Sequence, residues 1–197
     1  MIAPMKCAVQ FVAALLLCGC VAVPINEVPM YGGAEKATEI KEINQEFINW
    51  AVNEFGSREK ASDDAAQRGW KCFSQGDLKT AMKRFNQAWL LNADNAHAYW
   101  GFGIISGQQA RGTDTENKLR QSITFLETAN IKAPSNARIM TDLAYSHTML
   151  AAMVLKPQHR SEADKEFAEA QTLLEGAMRI EPTYALLYGN WSVLEFY

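Results

Sequence analysis

The chain of 197 residues is long enough for one domain with a substantial core, and too short for a large multidomain enzyme. Its formal net charge of −3 argues against a nucleic-acid-binding protein, which needs a basic surface to displace counterions from phosphates. Its 48% content of hydrophobic residues, with 12 glycines and 6 prolines, excludes a disordered or collagen-like chain.

Residues 1–19 have the features of a secretory signal. Lys6 is followed by an apolar run, Cys7 to Leu17, and then by small residues at which a signal peptidase can cut. The run is shorter than the roughly 20 residues that span a bilayer, so a transmembrane anchor is the weaker alternative. Because Met5 directly precedes Lys6, a start of translation there rather than at the first methionine stays open.

The end of this signal, Leu17-Cys18-Gly19-Cys20, resembles the lipobox of bacterial lipoproteins. The resemblance implies that Cys20 carries the lipid, palmitate among its acyl chains, and becomes the first residue of the mature protein. Cys18 departs from the usual Ala or Ser at its position. Val21 is not the Asp that retains lipoproteins at the inner membrane, which implies an anchor in the outer membrane, facing the periplasm. An ordinary secreted protein is the alternative.

Two segments of different character follow the signal. Residues 20–37 contain prolines and glycines without sustained periodicity, so a tether that lifts the domain off the membrane is expected there. Over residues 38–56, apolar side chains recur in steps of three and four, which predicts one N-terminal amphipathic helix ending at a glycine. The residues of this apolar stripe are Ile40, Ile43, Phe47, Trp50, Ala51 and Phe55.

A spacing of small and large residues recurs in the rest of the chain. In each copy a large residue follows a small one after four positions, and a second small residue follows three positions later. In the last two copies a proline stands five positions after the second small residue, at Pro134 and Pro182, whereas the first copy has Ala93 there. The copies are Ala81, Phe85 and Ala88; Ser122, Leu126 and Ala129; and Ala170, Leu174 and Ala177.

These triplets resemble the second helix of the tetratricopeptide repeat (TPR), in which small residues let two helices approach around a large side chain. The resemblance implies an all-α, TPR-like α-solenoid of about three helical hairpins, with an N-terminal helix and a C-terminal closing helix. The units span residues 62–95, 96–136 and 137–184, and the closing helix spans 185–197. The later units are longer, and we expect their extra residues to lengthen the helices, so that the hairpins grow taller along the array.

Local signals suggest where two of these helices begin. Asp63 and Asp64 beside Ser62 favour a helix start, because carboxylates stabilise the positive end of a helix. Thr113 and Glu116 have the spacing of a capping box, which predicts the start of the second helix in the second unit.

The sequence contains no motif typical of an enzyme or of a metal site. The histidines, His97, His147 and His159, show neither the H-E-x-x-H pattern nor a ligand spacing with cysteines. We therefore expect a non-enzymatic protein without cofactor or metal. Once the signal is removed and Cys20 is lipidated, Cys72 is the only cysteine in the folded part, and an inert core thiol is expected there.

In TPR arrays the first helix of each unit lines a concave groove, and the resemblance carries this role to particular residues here. Aromatic residues with arginine are typical of binding hot spots. The groove is either open to a partner or occupied by the N-terminal helix or the last helix, and the apolar stripe of the N-terminal helix also has to be buried. The implied partner-binding residues are Trp70, Phe73, His97, Trp100, Ile104, Arg138 and Tyr145.

Together these features predict an outer-membrane-anchored periplasmic TPR scaffold, which binds a protein or peptide of the cell envelope and serves the assembly of an envelope machine. We expect contact with the membrane through the lipid anchor only, and no binding of nucleic acid. One alternative is a small-molecule-binding or enzymatic accessory protein that uses the groove as a pocket. Another is a self-associating structural lipoprotein, in which the apolar segment 185–197 forms a homodimer seam instead of folding back on the third unit.

Overall fold

The computed structural model describes residues 23–33, 37–155 and 159–197, and within these ranges it contains helices and no strands. The expected signal, 1–19, and the lipidated Cys20 lie outside them. Nine α-helices follow one another in the described ranges. They are α1 (Ala37–Ile43), α2 (Gln45–Phe55), α3 (Arg58–Ser74), α4 (Leu78–Leu91), α5 (Ala96–Gln108), α6 (Thr115–Lys132), α7 (Ala137–Leu150), α8 (Arg160–Ile180) and α9 (Ala185–Phe196).

Short helical turns supplement these helices. The 3₁₀ turns Ile25–Glu27 and Pro29–Gly32 precede α1, and a third, Gly112–Asp114, precedes α6. A π-helical turn, Ala151–Leu155, continues α7. None of the described helices has the length and apolarity that crossing a bilayer would require.

Consecutive helices pack as antiparallel pairs, α3 with α4, α5 with α6, and α7 with α8. The second helix of each pair also contacts the first helix of the next pair. Each element therefore packs mainly on its neighbours in the sequence, which is consistent with a repeat-like helical arrangement.

The recurring small and large residues lie inside these pairs, and every member of the three triplets is fully buried. Phe85 shows what the spacing achieves. A Cβ atom added to Gly69 of α3 would lie 2.7 Å from its ring, and one added to Gly101 of α5 would lie 2.3 Å away. The absence of side chains on these two glycines therefore lets α3 and α5 close on opposite edges of one phenylalanine.

The N-terminal helix expected over residues 38–56 is divided at Asn44 into α1 and α2. The φ of −101° and ψ of 17° at Asn44 depart from helical values, and its backbone N–H and side-chain Nδ2 both donate to the carbonyl oxygen of Ile40, at 3.0 and 2.6 Å. The second of these helices ends, as expected, before Gly56, whose φ of 80° is left-handed. Ile48 and Ala51 bury the apolar face of α2 in the same core cluster as residues of α3 and α4.

Part of the segment expected to be a tether is packed on the helical domain. Asn86 of α4 is fully buried, and its Nδ2 donates to the carbonyl oxygens of Asn26 and Val28, both at 2.9 Å. Glu27 lies 3.0 Å from the Nζ of Lys83. The described residues 23–33 are thus held along α4 by buried hydrogen bonds.

The first predicted helix start is wrong, and the second lies within two residues of the observed start but lacks the expected capping box. Helix α3 begins before Ser62, because Ser57 caps it by accepting a hydrogen bond from the backbone N–H of Lys60 at 3.2 Å. Helix α6 begins at Thr115 without a side-chain capping bond, so the proposed capping box of Thr113 and Glu116 does not form.

The later pairs lengthen in different ways. In the second pair, α5 has 13 residues against 17 in α3, so the extra residues lie in the connection to α6 and in the 18 residues of α6 itself. In the third pair, the π-helical turn extends α7, and α8 has 21 residues. The expectation of longer helices therefore holds for both helices of the third pair, and only for the second helix of the second pair.

We expect Gly101→Ala to lower the free energy of unfolding by about 1–3 kcal/mol, because the new methyl group must displace the enclosed ring of Phe85. Urea denaturation of the purified protein measures this change. Gly189→Ala is the matched control, since nothing lies within 4 Å of a Cβ at this position of α9. The control should gain about 0.5–1 kcal/mol from helix propensity. A Gly101→Ala protein as stable as wild type would contradict the packing argument.

Candidate binding cleft

Every residue predicted to line a groove lies at one cleft, with a volume of about 950 Å³. Its main walls are α3, α5 and α7, the first helices of the three pairs. The predicted residues are Trp70 and Phe73 on α3, His97, Trp100 and Ile104 on α5, and Arg138 and Tyr145 on α7.

Other parts of the fold complete the cleft. Helix α6 contributes Leu119, Ser122 and Leu126, and the end of α7 with its π-helical turn contributes methionines. Helix α9 and the turn before it close one side through Tyr184, Leu186 and Asn190, and the Nδ2 of Asn190 donates to the carbonyl oxygen of Thr141 at 3.2 Å. The resulting lining is largely apolar, with a few polar groups. The lining methionines are Met149 and Met153.

An aromatic cluster forms the α3–α5 end of the cleft. The rings of Trp70 and Trp100 have centroids 4.5 Å apart, and those of Trp70 and Phe73 are 5.7 Å apart in an edge-to-face arrangement. The indole N–H of Trp70 donates to Nδ1 of His97 at 3.2 Å. An Nδ1 that accepts a hydrogen bond belongs to a neutral imidazole.

The pKa of His97 agrees with a neutral ring. Burial lowers this pKa below its ordinary value, and the carboxylate of Asp63 opposes the shift only in part. His97 therefore adds a ring and a hydrogen-bonding group to the cleft, and no positive charge near neutral pH.

Asparagine caps fix the helix ends that present the polar residues. Asn95 accepts from the backbone N–H of His97 at 2.9 Å, and its Nδ2 donates to Ser62 and Asp63 of α3. Asn136 has the equivalent position before α7 and accepts from the backbone N–H of Arg138 at 3.1 Å. These caps tie the entrance of each helix to a defined place, so the side chains that follow are positioned from rigid backbone.

Asp142 is a cleft residue that was not among the predicted ones. Its Oδ2 accepts a hydrogen bond from the indole N–H of Trp100 at 2.7 Å. Burial raises the pKa of Asp142 to about 6, and the hydrogen bond from Trp100 opposes this shift. A helical signal for this residue was present in the sequence, because positions four after Arg138 and three before Tyr145 share the face of both.

Arg138, the positively charged residue nearest to Asp142 in the sequence, interacts with other residues. Arg138 places its guanidinium 3.4 Å from a carboxylate oxygen of Glu181 and 5.3 Å from the ring centre of Tyr184. No Lys, Arg or His side chain of the described ranges forms an ion pair with Asp142 within 4.0 Å. The cleft thus contains a carboxylate with one indole donor and no cationic partner among the described residues.

The N-terminal helices do not occupy the cleft, since no residue of 23–33 or 37–55 lines it. Of the two arrangements considered for the chain end, the structure shows the folded-back one, with helix α9 packed on α7 and α8. This packing buries Leu187 completely and leaves Phe196 exposed. Among the described residues, the N-terminal helices thus leave the groove unfilled, and the last helix forms one side of it.

In the described part of the chain, no group of three or more His, Cys, Asp and Glu side chains is arranged to hold a metal ion. Cys72 is a half-buried free thiol, packed against the core cluster that contains residues of α2, α3 and α4. The sequence matches none of the known protein-family models, and no curated protein sequence matches it. A functional assignment therefore depends on the chemistry of the cleft.

We expect Asp142→Asn to raise the free energy of unfolding at about pH 7.5, by up to about 3 kcal/mol. The folded-state pKa of about 6 lies above the ordinary value of 3.8, so between these values the native state binds more protons than the unfolded state. The contribution of Asp142 to stability is thus largest below the lower value and is lost as the pH rises through the upper one.

Urea denaturation at about pH 4 and about pH 7.5 tests this, because the advantage of the variant should be confined to the higher pH. Asp164→Asn, at an exposed residue of α8, makes the same chemical change outside the cleft and should alter stability by less than about 0.5 kcal/mol. An equal gain in the free energy of unfolding at both pH values, or no gain at either, would show that the fold does not disfavour the charged form of Asp142.

Proposed function

We propose that this protein is a TPR-like periplasmic scaffold, anchored by lipid in the outer membrane, which binds a segment of a cell-envelope protein in the cleft. The observation that carries this proposal is the convergence of aromatic and arginine side chains from three helix pairs on one open surface. Trp, Tyr and Arg are the residues enriched in binding hot spots. Tyr145, which is 42% exposed, presents its ring to anything that enters.

The repeat interpretation rests on three pairs with one common design. The pairs α3–α4, α5–α6 and α7–α8 correspond to the units 62–95, 96–136 and 137–184, with α1 and α2 before them and α9 as the closing helix. The buried small–large–small triplet of each unit supports a TPR-like hairpin. In such an array the first helices of the hairpins form the concave side, and these are the helices that line the cleft.

The chemistry of the cleft favours binding over catalysis. Two of its titratable side chains with altered pKa values, His97 and Asp142, each accept a hydrogen bond from a tryptophan. Neither is paired with a nucleophilic side chain in the described part of the cleft. A rigid aromatic surface with such groups held in place provides contact area and orientation for a bound chain.

The position of the N-terminal segment supports an anchored scaffold. Val23, where the described N-terminal segment begins, lies only three positions after Cys20. Even fully extended, this stretch spans at most about 11 Å. That segment lies along α4, and no residue of α4 lines the cleft. A lipid anchor there would hold the domain close to the membrane without covering the proposed binding surface.

A small molecule is the second candidate ligand. The volume of about 950 Å³ falls within the range of sites for small ligands, roughly 300–1,000 Å³. The few polar groups among apolar walls are also typical of such sites. A small molecule would bury most of its surface here, whereas a protein segment would extend beyond the cleft.

Site-specific photocross-linking in intact cells tests the scaffold proposal. A benzophenone side chain in place of Tyr145 should yield an adduct with a second protein, because this exposed position lies in the cleft. The same group in place of Phe196, which is 81% exposed but lies outside the cleft, is the control and should not yield that adduct. Label that stays with the monomer, or an adduct with a second copy only, would contradict the proposal.

The anchor is tested by substitution of the two neighbouring cysteines. We expect Cys20→Ser to abolish incorporation of labelled palmitate and to prevent retention of the mature protein in the outer-membrane fraction. Cys18→Ser should keep both, because serine is a usual residue at that place of the lipobox. If the Cys18→Ser protein lost the palmitate label and the Cys20→Ser protein kept it, the lipid would belong to Cys18, and the prediction would be wrong.

A further inference from the structure

We propose that the cleft recognises a lysine or arginine side chain of the bound segment, which pairs with the carboxylate of Asp142 beside Trp70 and Trp100. This inference rests on the proposed function, since it specifies the chemistry of the peptide that the scaffold binds. Its basis is a cavity with an acidic group that the described residues leave without a cation.

The charges around the cleft favour a cationic ligand. Arg138 faces Glu181, so these two opposite charges compensate each other at the rim. Helices α3 and α6 present no charged side chain to the cleft. With His97 neutral, Asp142 is the one charge of the described lining that has no opposite partner.

The carboxylate also has acceptor capacity to spare. A carboxylate offers about four lone-pair sites, and Trp100 is the only described residue that donates to this one. An ammonium or guanidinium group would add charge-assisted hydrogen bonds, which are roughly twice as strong as those between neutral groups. A neutral or acidic ligand would bury the carboxylate without a partner or beside a like charge.

The neighbouring rings suit the same ligand. The indole of Trp100 turns its N–H edge to Asp142, and the ring of Trp70 lies 4.5 Å away between centroids, so a ligand group at the carboxylate lies beside aromatic side chains. A cation is attracted where it reaches the face of a tryptophan ring, and Trp70 is the ring of this pair that does not bond to Asp142. The apolar lining contributed by Ile104 and Leu126 suits the methylene groups of a lysine or arginine stem.

This arrangement makes binding dependent on pH in a defined direction. Since the pKa of Asp142 in the free protein is about 6, binding of a cation should weaken by about tenfold between about pH 7.5 and pH 5. The other titratable groups facing the cleft are His97 on α5, Arg138 and Tyr145 on α7, and Tyr184 before α9. Burial raises the pKa of Tyr184, which therefore stays uncharged over this interval.

Three tripeptides that differ only in the central side chain test the proposal by isothermal titration calorimetry. They are acetyl-Leu-Lys-Leu-amide, its norleucine analogue, which lacks the charge, and its glutamate analogue. The protein is the purified lipidated chain in detergent, and a titration into detergent alone removes partition into micelles. Asp142→Asn is the test variant, because its amide oxygen still accepts from Trp100, and Asp164→Asn is the matched control outside the cleft.

We expect the lysine peptide to bind at least about tenfold more tightly than the other two at about pH 7.5. This preference should vanish in Asp142→Asn and persist in Asp164→Asn, with thermal unfolding showing that both variants are folded. Equal binding of all three peptides, tighter binding of the glutamate peptide, a preference retained in Asp142→Asn, or no binding of the lysine peptide would each overturn the inference.

The two proposals fail in different ways. Equal binding of the three peptides, with the Tyr145 adduct to a second protein still formed, would remove the basic side chain and leave the scaffold. A lysine preference that depends on Asp142, without any adduct from Tyr145, would support a cation site and contradict the protein partner. Loss of both results would remove both proposals.

Discussion

The close contact of Phe85 with two glycines determines the geometry of the cleft as well as the packing of the core. Trp70 directly follows Gly69, and Trp100 directly precedes Gly101. Because the ring of Phe85 brings the backbones of α3 and α5 together at these glycines, it also brings the two indoles to 4.5 Å. The geometry of the cleft is therefore a direct consequence of core packing, and a change at Phe85 would alter both.

Asp142 represents the opposite relation between stability and function. A largely buried carboxylate that the described residues leave without a cation opposes folding near neutral pH, and the hydrogen bond from Trp100 offsets only part of that cost. Proteins retain such groups where a binding site needs them, and lose stability in return. The core residues of the same helix, such as Ile139 and Leu143, are buried and apolar, so the unfavourable group is confined to the cleft face.

The sequence predicts well what depends on helical periodicity, and poorly what depends on contacts between distant segments. The lining residues on α3, α5 and α7 follow from the resemblance to the first helix of a TPR unit, whose lining positions share one helix face. The break lies at Asn44, whose backbone departs from helical geometry and whose side chain bonds to the carbonyl of Ile40, a local feature that the apolar stripe does not reveal. The docking of 23–33 depends on buried Asn86, whose partners are backbone carbonyls distant in the sequence, so helical spacing does not reveal them.

Helix α9 shows why the complete lining of the cleft could not be predicted from the sequence. Its composition predicts an apolar surface, and two arrangements of the chain end satisfy that composition equally well. In the fold, Leu187 is buried between helices, Leu186 lines the cleft, and Asn190 holds the helix to the carbonyl of Thr141. The closing helix is thus a wall of the cleft, attached by long-range contacts rather than by the repeat spacing. Substitutions on this wall could change the shape of the site while the buried triplets of the three pairs remain intact.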